Sequence, residues 1–545
     1  MAQKPFISDM GIRLGDWLLT QNSDGDLTAG HVAVDANNAQ RAFRADHGIK
    51  IGNWEMYADG DELSVTENRA MAGSQRPFIA DAGFQISDWT FTQDTDGNML
   101  LSTTAIVSVG TETSGDTGSG NTFEWSDWSA STLAYTLDNP NPYGTSLNDR
   151  FGYSVAVDGD YAIVSAIYED DAGGGNSGKA YIYNVSTSSL VHTLDNPNDF
   201  SSSSEDQFGN SVAISGNYAI VGASREDDVS GSTSGKAYIF DVTTGALVHT
   251  LDNPNVYGTS TSDYFGISVA ISGDYAIVGA YAEDDADGSA SGKAYIFDVT
   301  TGALLYTLDN PTAYGTSAGD RFGGAVAISG NYAIVGAEME DDAVAFENDD
   351  GDEEFIVGFG SGKAYIFDVT TGALVHTLDN PNAHSNSDDD YFGNSVAISG
   401  DYAIVGAYAE SDNGGDYSGK AYIFDVTTGA LVHTLDNPNP DGSSLGDEFG
   451  RFVAISGDYA IVSATGEDES PKTPTNYNSG KVYIYNVTSG ALVETLDNPN
   501  AYDTEVNDRF GRSVAISDGR AIVSAYDEDD AGGTSSGKAY IFTAG

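Results

Sequence analysis

The stretch "FGNSVAISGDYAIVGAYAESDNGGDYSGKAYIFDVTTGALVHTLDNPN" runs from Phe392 to Asn439. It contains four short runs, "SVAIS", "YAIVGA", "KAYIFDV" and "ALVHTL", in which apolar residues alternate and Gly, Asn and Asp intervene. That alternation, together with the Val, Ile, Tyr and Phe content, predicts four β-strands and leaves no sustained helical period. The Phe-Gly pair that opens the stretch recurs at Phe151, Phe208, Phe265, Phe322, Phe392, Phe449 and Phe510, at spacings of 57, 57, 57, 70, 57 and 61 residues. A fixed period in this range marks a propeller, solenoid or array. Four strands per unit make a propeller blade.

The ends of the array predict closure. The last copy stops after three strands at "GKAYIFTAG", whereas the first is preceded by an orphan fourth strand, "TLAYTLDNP", at Thr132 to Pro140. An outer strand lent by the start of the array to its last blade would close the ring and remove the open sheet edges. The expected fold is therefore all-β: a seven-bladed β-propeller closed by an N-terminal outer strand.

Composition narrows the partners. The chain has 545 residues, no Cys, and 82 acidic against 22 basic residues, for a formal charge of -60. Such a field repels nucleic acid and anionic membranes. No apolar run of about 18 residues offers a membrane span. The opening "MAQKPFISDM" lacks the basic start and apolar run of a secretion signal, so the chain reads as one without an N-terminal leader.

At this point the residues resemble a known family, the FG-GAP repeats of integrin-alpha-type β-propellers. The matching features are Phe-Gly at the blade start and "IVGA" on the second strand, as in Phe265-Gly266 and Ile277-Val278-Gly279-Ala280, and they recur over residues 132 to 545. One departure matters: where that family carries an Asp-rich calcium loop between the first two strands of some blades, this chain has only "SGDY" or "SGNY". The resemblance therefore transfers no calcium site. The segment "DVTTGALV" also looks like the turn of quinoprotein propellers, without the Trp that accompanies it there.

In an up-and-down blade the connections after the second and fourth strands share one face. Here those are the long ones, so variation and function are expected on that face. It is acidic in every blade. The loops after the second strands open with Glu169-Asp170, Glu226-Asp227, Glu283-Asp284 and Glu340-Asp341, and with related pairs in the later blades. An Asp also stands two residues before each Phe, as at Asp149, Asp206, Asp263 and Asp320. Clustered carboxylates are the ligands Ca2+ prefers, which makes these residues candidate cation ligands. The alternative is that they cap turns, pair with the Lys that starts every third strand, and otherwise face water. The fourth blade enlarges its loop to "EDDAVAFENDDGDEEFIVGFGSG", placing Phe355, Ile356, Val357 and Phe359 either on a protruding contact surface or on a fifth strand or flap folded onto the blade.

A second, shorter repeat precedes the propeller: "KPFISDMGIRLGDW" from Lys4, "RAFRADHGIKIGNW" from Arg41 and "RPFIADAGFQISDW" from Arg76. Each ends on a Trp, namely Trp17, Trp54 and Trp89, and is followed by an Asp-Gly hairpin signal. Such small β modules have difficulty building a core alone, so the tryptophans are candidate partner contacts. The style of these segments is similar to structural proteins of tailed bacteriophages, in which short β repeats precede a displayed domain. The expected organisation is three β repeats for anchoring over 1–110, a Gly/Ser/Thr-rich linker over 111–130, and the propeller over 131–545.

No catalytic constellation emerges. Four of the seven His share one fourth-strand position (His192, His249, His376, His433), with Tyr135, Tyr306 and Glu494 in the other blades, and read as packing positions. "GGGNSGKA" from Gly173 nearly spells a phosphate loop, but Ala180 replaces the required hydroxyl residue and a strand follows. "GTSAG" at Gly315 to Gly319 lacks the setting of a nucleophile elbow. The expectation is a non-enzymatic structural or adhesion protein on a virion surface, such as a tail, fibre or capsid decoration. It would need no cofactor, with Ca2+ as the one candidate ion. It would contact other virion proteins through residues 1–128 and a host receptor or glycan through the long-loop face, in several copies. Alternatives are a bacterial surface or secreted carbohydrate-binding propeller and, third, a propeller hydrolase.

Overall fold

The computed structural model describes residues 131–544, Trp128 and the strands between residues 4 and 103. Within the propeller, segments 141–147, 171–174, 198–204, 228–231, 255–260, 285–288, 312–318, 348–352, 359, 382–388, 412–416, 439–445, 468–477, 500–506 and 530–533 lie outside the description. The chain divides into two units, Met1–Asn121 and Thr122–Gly545.

The second unit is the expected ring of seven four-stranded antiparallel sheets. Blade two is representative: Phe208–Ser215, Tyr218–Ala223, Lys236–Asp241 and Leu247–Asp252, paired in sequence order. In blade seven, Val514–Ser517, Arg520–Ala525 and Lys538–Thr543 are completed by Thr132–Asp138, which pairs with Lys538–Thr543 from Thr132↔Thr543 to Asp138↔Lys538. First strands lie next to one another around the axis and fourth strands form the rim, where alternate residues such as Leu247 and Leu304 are exposed.

The hydrophobic core lies between blades rather than within them. Ile220, Ile239 and Leu251 of blade two pack against Phe265, Val269, Ile271 and Tyr295 of blade three, and equivalent layers repeat around the ring. Each Phe of the Phe-Gly pair is fully buried. Its ring meets two third-strand rings, as Phe265 does with Tyr295 at 5.8 Å and, edge-on, with Phe297 at 6.1 Å. Burial of such a ring contributes about 2 kcal/mol, and each aromatic pair about 1 kcal/mol more. The closing layer has the same composition, with Phe151 and Val155 of blade one against Ile522 and Ile541 of blade seven.

Blade is joined to blade through backbone. In all seven joints the Phe N–H donates to the carbonyl of a buried Ser in the preceding blade, at 2.9–3.1 Å; Phe265 to Ser234 and Phe151 to Ser536 are two of them. The Gly after that Ser, such as Gly235 or Gly537, holds φ of +79° to +83°, and a Cβ there would overlap the carbonyl oxygen of the incoming Phe. Only glycine combines that conformation with so close an approach. The near phosphate-loop spelling at Gly178-Lys179 is one of these joints, with Gly178 against Phe208.

Fourth-strand positions tie the rim together. Nε2 of His192, His249, His376 and His433 lies 3.0–3.1 Å from the carbonyl of a turn residue in the next blade (Thr243, Thr300, Thr427 and Thr488). The Tyr135 hydroxyl donates to Ser186 in the same way. Trp128 is fully buried among Ile461, Val482, Phe510 and Phe542. It therefore packs as part of the propeller, although the sequence reading places it in the linker.

The first unit contains three separate antiparallel sheets. In each, the strand opened by a tryptophan (Trp17–Gln21, Trp54–Asp59, Trp89–Gln93) is central. It pairs with a three-residue strand (Ile12–Leu14, Ile49–Ile51, Phe84–Ile86) and with a longer one (Leu27–His31, Glu62–Glu67, Met99–Thr103), and in the first sheet also with Lys4–Pro5.

The joint yields a paired prediction. Gly235→Ala, forced against the Phe265 carbonyl, is expected to cost about 3 kcal/mol or more. Gly216→Ala, at φ +54° with open space around it, is expected to cost only about 1 kcal/mol. Denaturant midpoints of the two variants measure the difference.

Candidate functional site

The long loops are clipped at their bases in one way throughout. The loop-opening glutamate (Glu169, Glu226, Glu283, Glu340, Glu410, Glu467 and Glu528) accepts at its carbonyl both the N–H of the joint glycine, at 2.9–3.0 Å, and the hydroxyl of the joint serine, at 3.2–3.3 Å. The clip takes the same form whether eight residues separate Glu from Ser, as in Glu226 to Ser234, or twenty-one, as in Glu340 to Ser361. Loop length thus varies without disturbing the blade.

Below the clip, the glutamate side chain turns inward. All seven are buried. Each accepts the hydroxyl of a third-strand tyrosine, Tyr181 for Glu169 and then, at 2.5–2.7 Å, Tyr238, Tyr295, Tyr365, Tyr422, Tyr483 and Tyr540 in blades two to seven. Burial, partly offset by the tyrosine hydrogen bond, pushes the carboxyl of Glu169 up to about 7 and those of Glu226, Glu283, Glu410, Glu467 and Glu528 up to about 8. The tyrosines are pushed far above their usual range, first by burial and then by the neighbouring glutamate.

The other candidate cation ligands have intramolecular partners. Asp149, Asp206, Asp263 and Asp320 are buried, and each accepts the side-chain amide of the Asn that follows a fourth strand (Asn139, Asn196, Asn253, Asn310) at 2.8–3.0 Å. Asp170, Asp227, Asp284 and Asp341 each accept a backbone N–H from the far end of their own loop, at 2.7–3.0 Å. The lysines that start the third strands pair with a different partner from the one read in the sequence: Lys179 bonds Asp195 and Lys236 bonds Asp252, at the ends of fourth strands. Among the described residues no three His, Cys, Asp or Glu side chains gather in a way that could hold a metal ion.

The enlarged loop of blade four forms its own hairpin. Asp342–Glu347 pairs with Glu353–Gly358 in a two-stranded sheet distinct from the four-stranded blade. The fifth-strand alternative therefore does not hold. Phe355, Ile356 and Val357 lie on the hairpin's second strand, and Phe359 lies outside the described residues.

What the carboxylate reading missed is the mouth of this face. The residue before Phe-Gly has a left-handed backbone in every blade, at φ +53° to +59°. It is Arg150, Gln207, Tyr264, Arg321, Tyr391, Glu448 and Arg509 in turn. An otherwise repeated scaffold thus holds this position left-handed in every blade while its side chain changes, as it also does at the positions of Asn148 and Asn176. Such strain is characteristic of functional sites. The residue after Phe-Gly also varies and includes Tyr153, Arg451 and Arg512. Six of the seven propeller arginines (Arg150, Arg225, Arg321, Arg451, Arg509, Arg512) lie beside Phe-Gly or just past a second strand, leaving only Arg520 elsewhere.

These side chains interact with one another. Tyr264 stacks on Tyr281 and Tyr391 on Tyr408, with ring centroids 5.5 and 5.4 Å apart. The Arg321 guanidinium lies over Tyr281, and that of Arg451 lies 4.2 Å from the Tyr408 centroid. The signal was available in the sequence as deviation from the repeat.

The FG-GAP repeat family matches residues 142–183, 201–240, 258–297, 312–367, 383–424, 439–485 and 500–542, one segment per blade. The chain belongs to the FG-GAP repeat family. No curated protein matches it. In this FG-GAP propeller, the family's Phe-Gly is the inter-blade joint, and the residues flanking it form the mouth.

Two outcomes follow for this FG-GAP chain. The folded protein holds the protons of these glutamates up to about pH 7 to 8, whereas the unfolded chain releases them near 4.5. Their stabilisation is full below the lower value and is lost as pH rises through the higher one. Thermal midpoints should therefore fall from about pH 5 to about pH 8.5. Glu283→Gln, which keeps an oxygen acceptor for Tyr295 but cannot titrate, should make that slope shallower by the share of one such group. Because the loop carboxylates already accept intramolecular donors, a chelator is expected to leave the midpoint unchanged; a fall would point to a bound cation.

Proposed function

We propose that the protein is a non-enzymatic adhesion and display component, whose propeller presents a variable mouth to a partner while residues 1–121 attach it to a larger assembly. The observation that carries this reading is the partition within the repeat. Residues that build the joint, the clip and the core recur in blade after blade, whereas the strained residue before Phe-Gly differs among Arg, Gln, Tyr and Glu. A scaffold that holds rings of positions fixed in backbone and varied in side chain suits recognition.

The assembly we favour is a virion, with the protein as a tail, fibre or capsid decoration in several copies and its mouth toward a host receptor or glycan. The three N-terminal repeats with Trp17, Trp54 and Trp89 support that choice, as small β sheets gain stability by packing on neighbours. Cryo-EM of the native source material tests it. The expected result is this chain at repeated, symmetry-related positions with residues 1–121 at the contact. A free, monomeric protein would overturn the virion reading and leave a secreted or cell-surface binding propeller.

A further inference from the structure

The densest part of the mouth lies where the ring closes. Tyr526, just past the second strand of blade seven, is buried and gathers three guanidinium groups. Arg509 donates to its hydroxyl at 3.0 Å, and the guanidinium carbons of Arg150 and Arg512 lie 5.3 and 5.4 Å from its ring centroid. Arg150 also lies 5.0 Å from the Tyr168 centroid, and Arg512 lies 4.3 Å from that of Tyr153. Tyr153 meets Tyr526 edge-on at 5.9 Å. Three positive charges thus gather on Tyr526, two over aromatic rings and one on its hydroxyl, in a chain of net charge -60.

Their neutralisation is incomplete. Every third-strand lysine pairs with a fourth-strand aspartate. In this cluster, by contrast, the one ion pair among the described residues joins Arg150 to Asp527 at 3.5 Å, and Arg509 shares the field of Asp527 and Glu448 without an ion pair of its own. Arg512 contacts aromatic rings and has no carboxylate partner among the described residues. Like charges gathered this way repel one another, and an anion placed between them relieves that repulsion. The stacking on tyrosine pre-sets the planar guanidinium forks, which favours bidentate capture of a carboxylate or sulfate.

Resting on the adhesion reading above, we infer that this Arg150, Arg509 and Arg512 cluster is a binding site for an acidic saccharide, a carboxylated or sulfated sugar within a glycan of low charge density. The guanidinium groups take the anionic substituent. The half-exposed rings of Tyr153 and Tyr168 lie against the apolar faces of the sugar ring. The net charge sets the limit on density: a closely charged polyanion such as nucleic acid is repelled by the whole surface, whereas an isolated anionic sugar meets chiefly the local field.

Calorimetry on the full-length protein at about 0.15 M salt, where charges beyond about 8 Å are largely screened, tests this. The probes are an oligosaccharide alternating glucuronate with a neutral sugar, the same oligosaccharide with its carboxyl groups reduced, and a sparsely sulfated neutral oligosaccharide. Binding of the glucuronate or the sulfated probe, with loss on carboxyl reduction of the former, is expected, and the two arms identify which anion is preferred. Arg512→Gln and Arg150→Gln should each weaken it about tenfold or more, while Arg520→Gln, on the opposite face, should leave it unchanged. Thermal midpoints of the variants separate lost binding from lost folding.

Equal binding of the carboxyl-reduced probe, no binding of either acidic probe, or binding insensitive to both Arg substitutions would overturn the inference. If the chain sits on particles but ignores acidic sugars, this inference fails while the display reading stands. If it binds acidic sugars but is found free, the reverse holds.

Discussion

Everything in the propeller depends on one close approach, that of a Phe-Gly backbone to the Ser-Gly backbone of the preceding blade. The hydrogen bond from Phe265 to Ser234 and the contact of Gly235 with the Phe265 carbonyl bring the two chains nearer than any side chain would permit. That proximity seats the Phe ring under two aromatic rings of its own blade and against the aliphatic residues of its neighbour. The same joint, made by Phe151 with Ser536 and Gly537, closes the circle without a special device. The strand Thr132–Asp138 then covers the last open edge. A ring so built leaves no terminal blade exposed.

The joint also explains the placement of charge. Immediately beside it, each loop is clipped by a glutamate whose carbonyl secures Ser and Gly and whose buried carboxyl accepts a tyrosine hydroxyl. Acidic residues that look from sequence like a solvated surface are thus divided among several roles, the buried aspartates such as Asp206 accepting an Asn amide. The glutamates are buried and hold protons toward neutral pH; the loop aspartates cap loops. The arginines, few in number, are placed where the joint projects its flanking residues toward the mouth. A strongly acidic protein thereby gathers most of its propeller arginines with tyrosines at one mouth.

The fold was legible because its determinants repeat. Seven Phe-Gly pairs, the four alternating runs and the orphan strand at Thr132 specify blade number, strand order and closure. The shared position of His192 and its equivalents identified a structural role, later seen as a bond to the next blade's turn. The site was less legible. Carboxylates attract attention by number, yet sequence does not show that Glu283 points inward to Tyr295. Nor does it show that Lys236 reaches Asp252 across a strand pair rather than the adjacent loop. Trp128 was assigned by its neighbours in sequence, whereas its partners, such as Phe510, lie hundreds of residues away. Arg150, Arg509 and Arg512 meet only because the ring closes, a long-range consequence of the repeat that no local motif encodes.

Native-state hydrogen exchange, resolved along the propeller by mass spectrometry, is the most direct test of a ring whose closing joint equals its internal ones. Amides of Phe151 and of the paired strands Thr132–Asp138 and Lys538–Thr543 are expected to be protected as strongly as those of Phe265 and of the paired strands Lys293–Asp298 and Leu304–Asp309. Uniform protection across the seam would establish closure by the same joint. Rapid exchange confined to Thr132–Asp138, Phe151 and Lys538–Thr543 would show an open ring and contradict it.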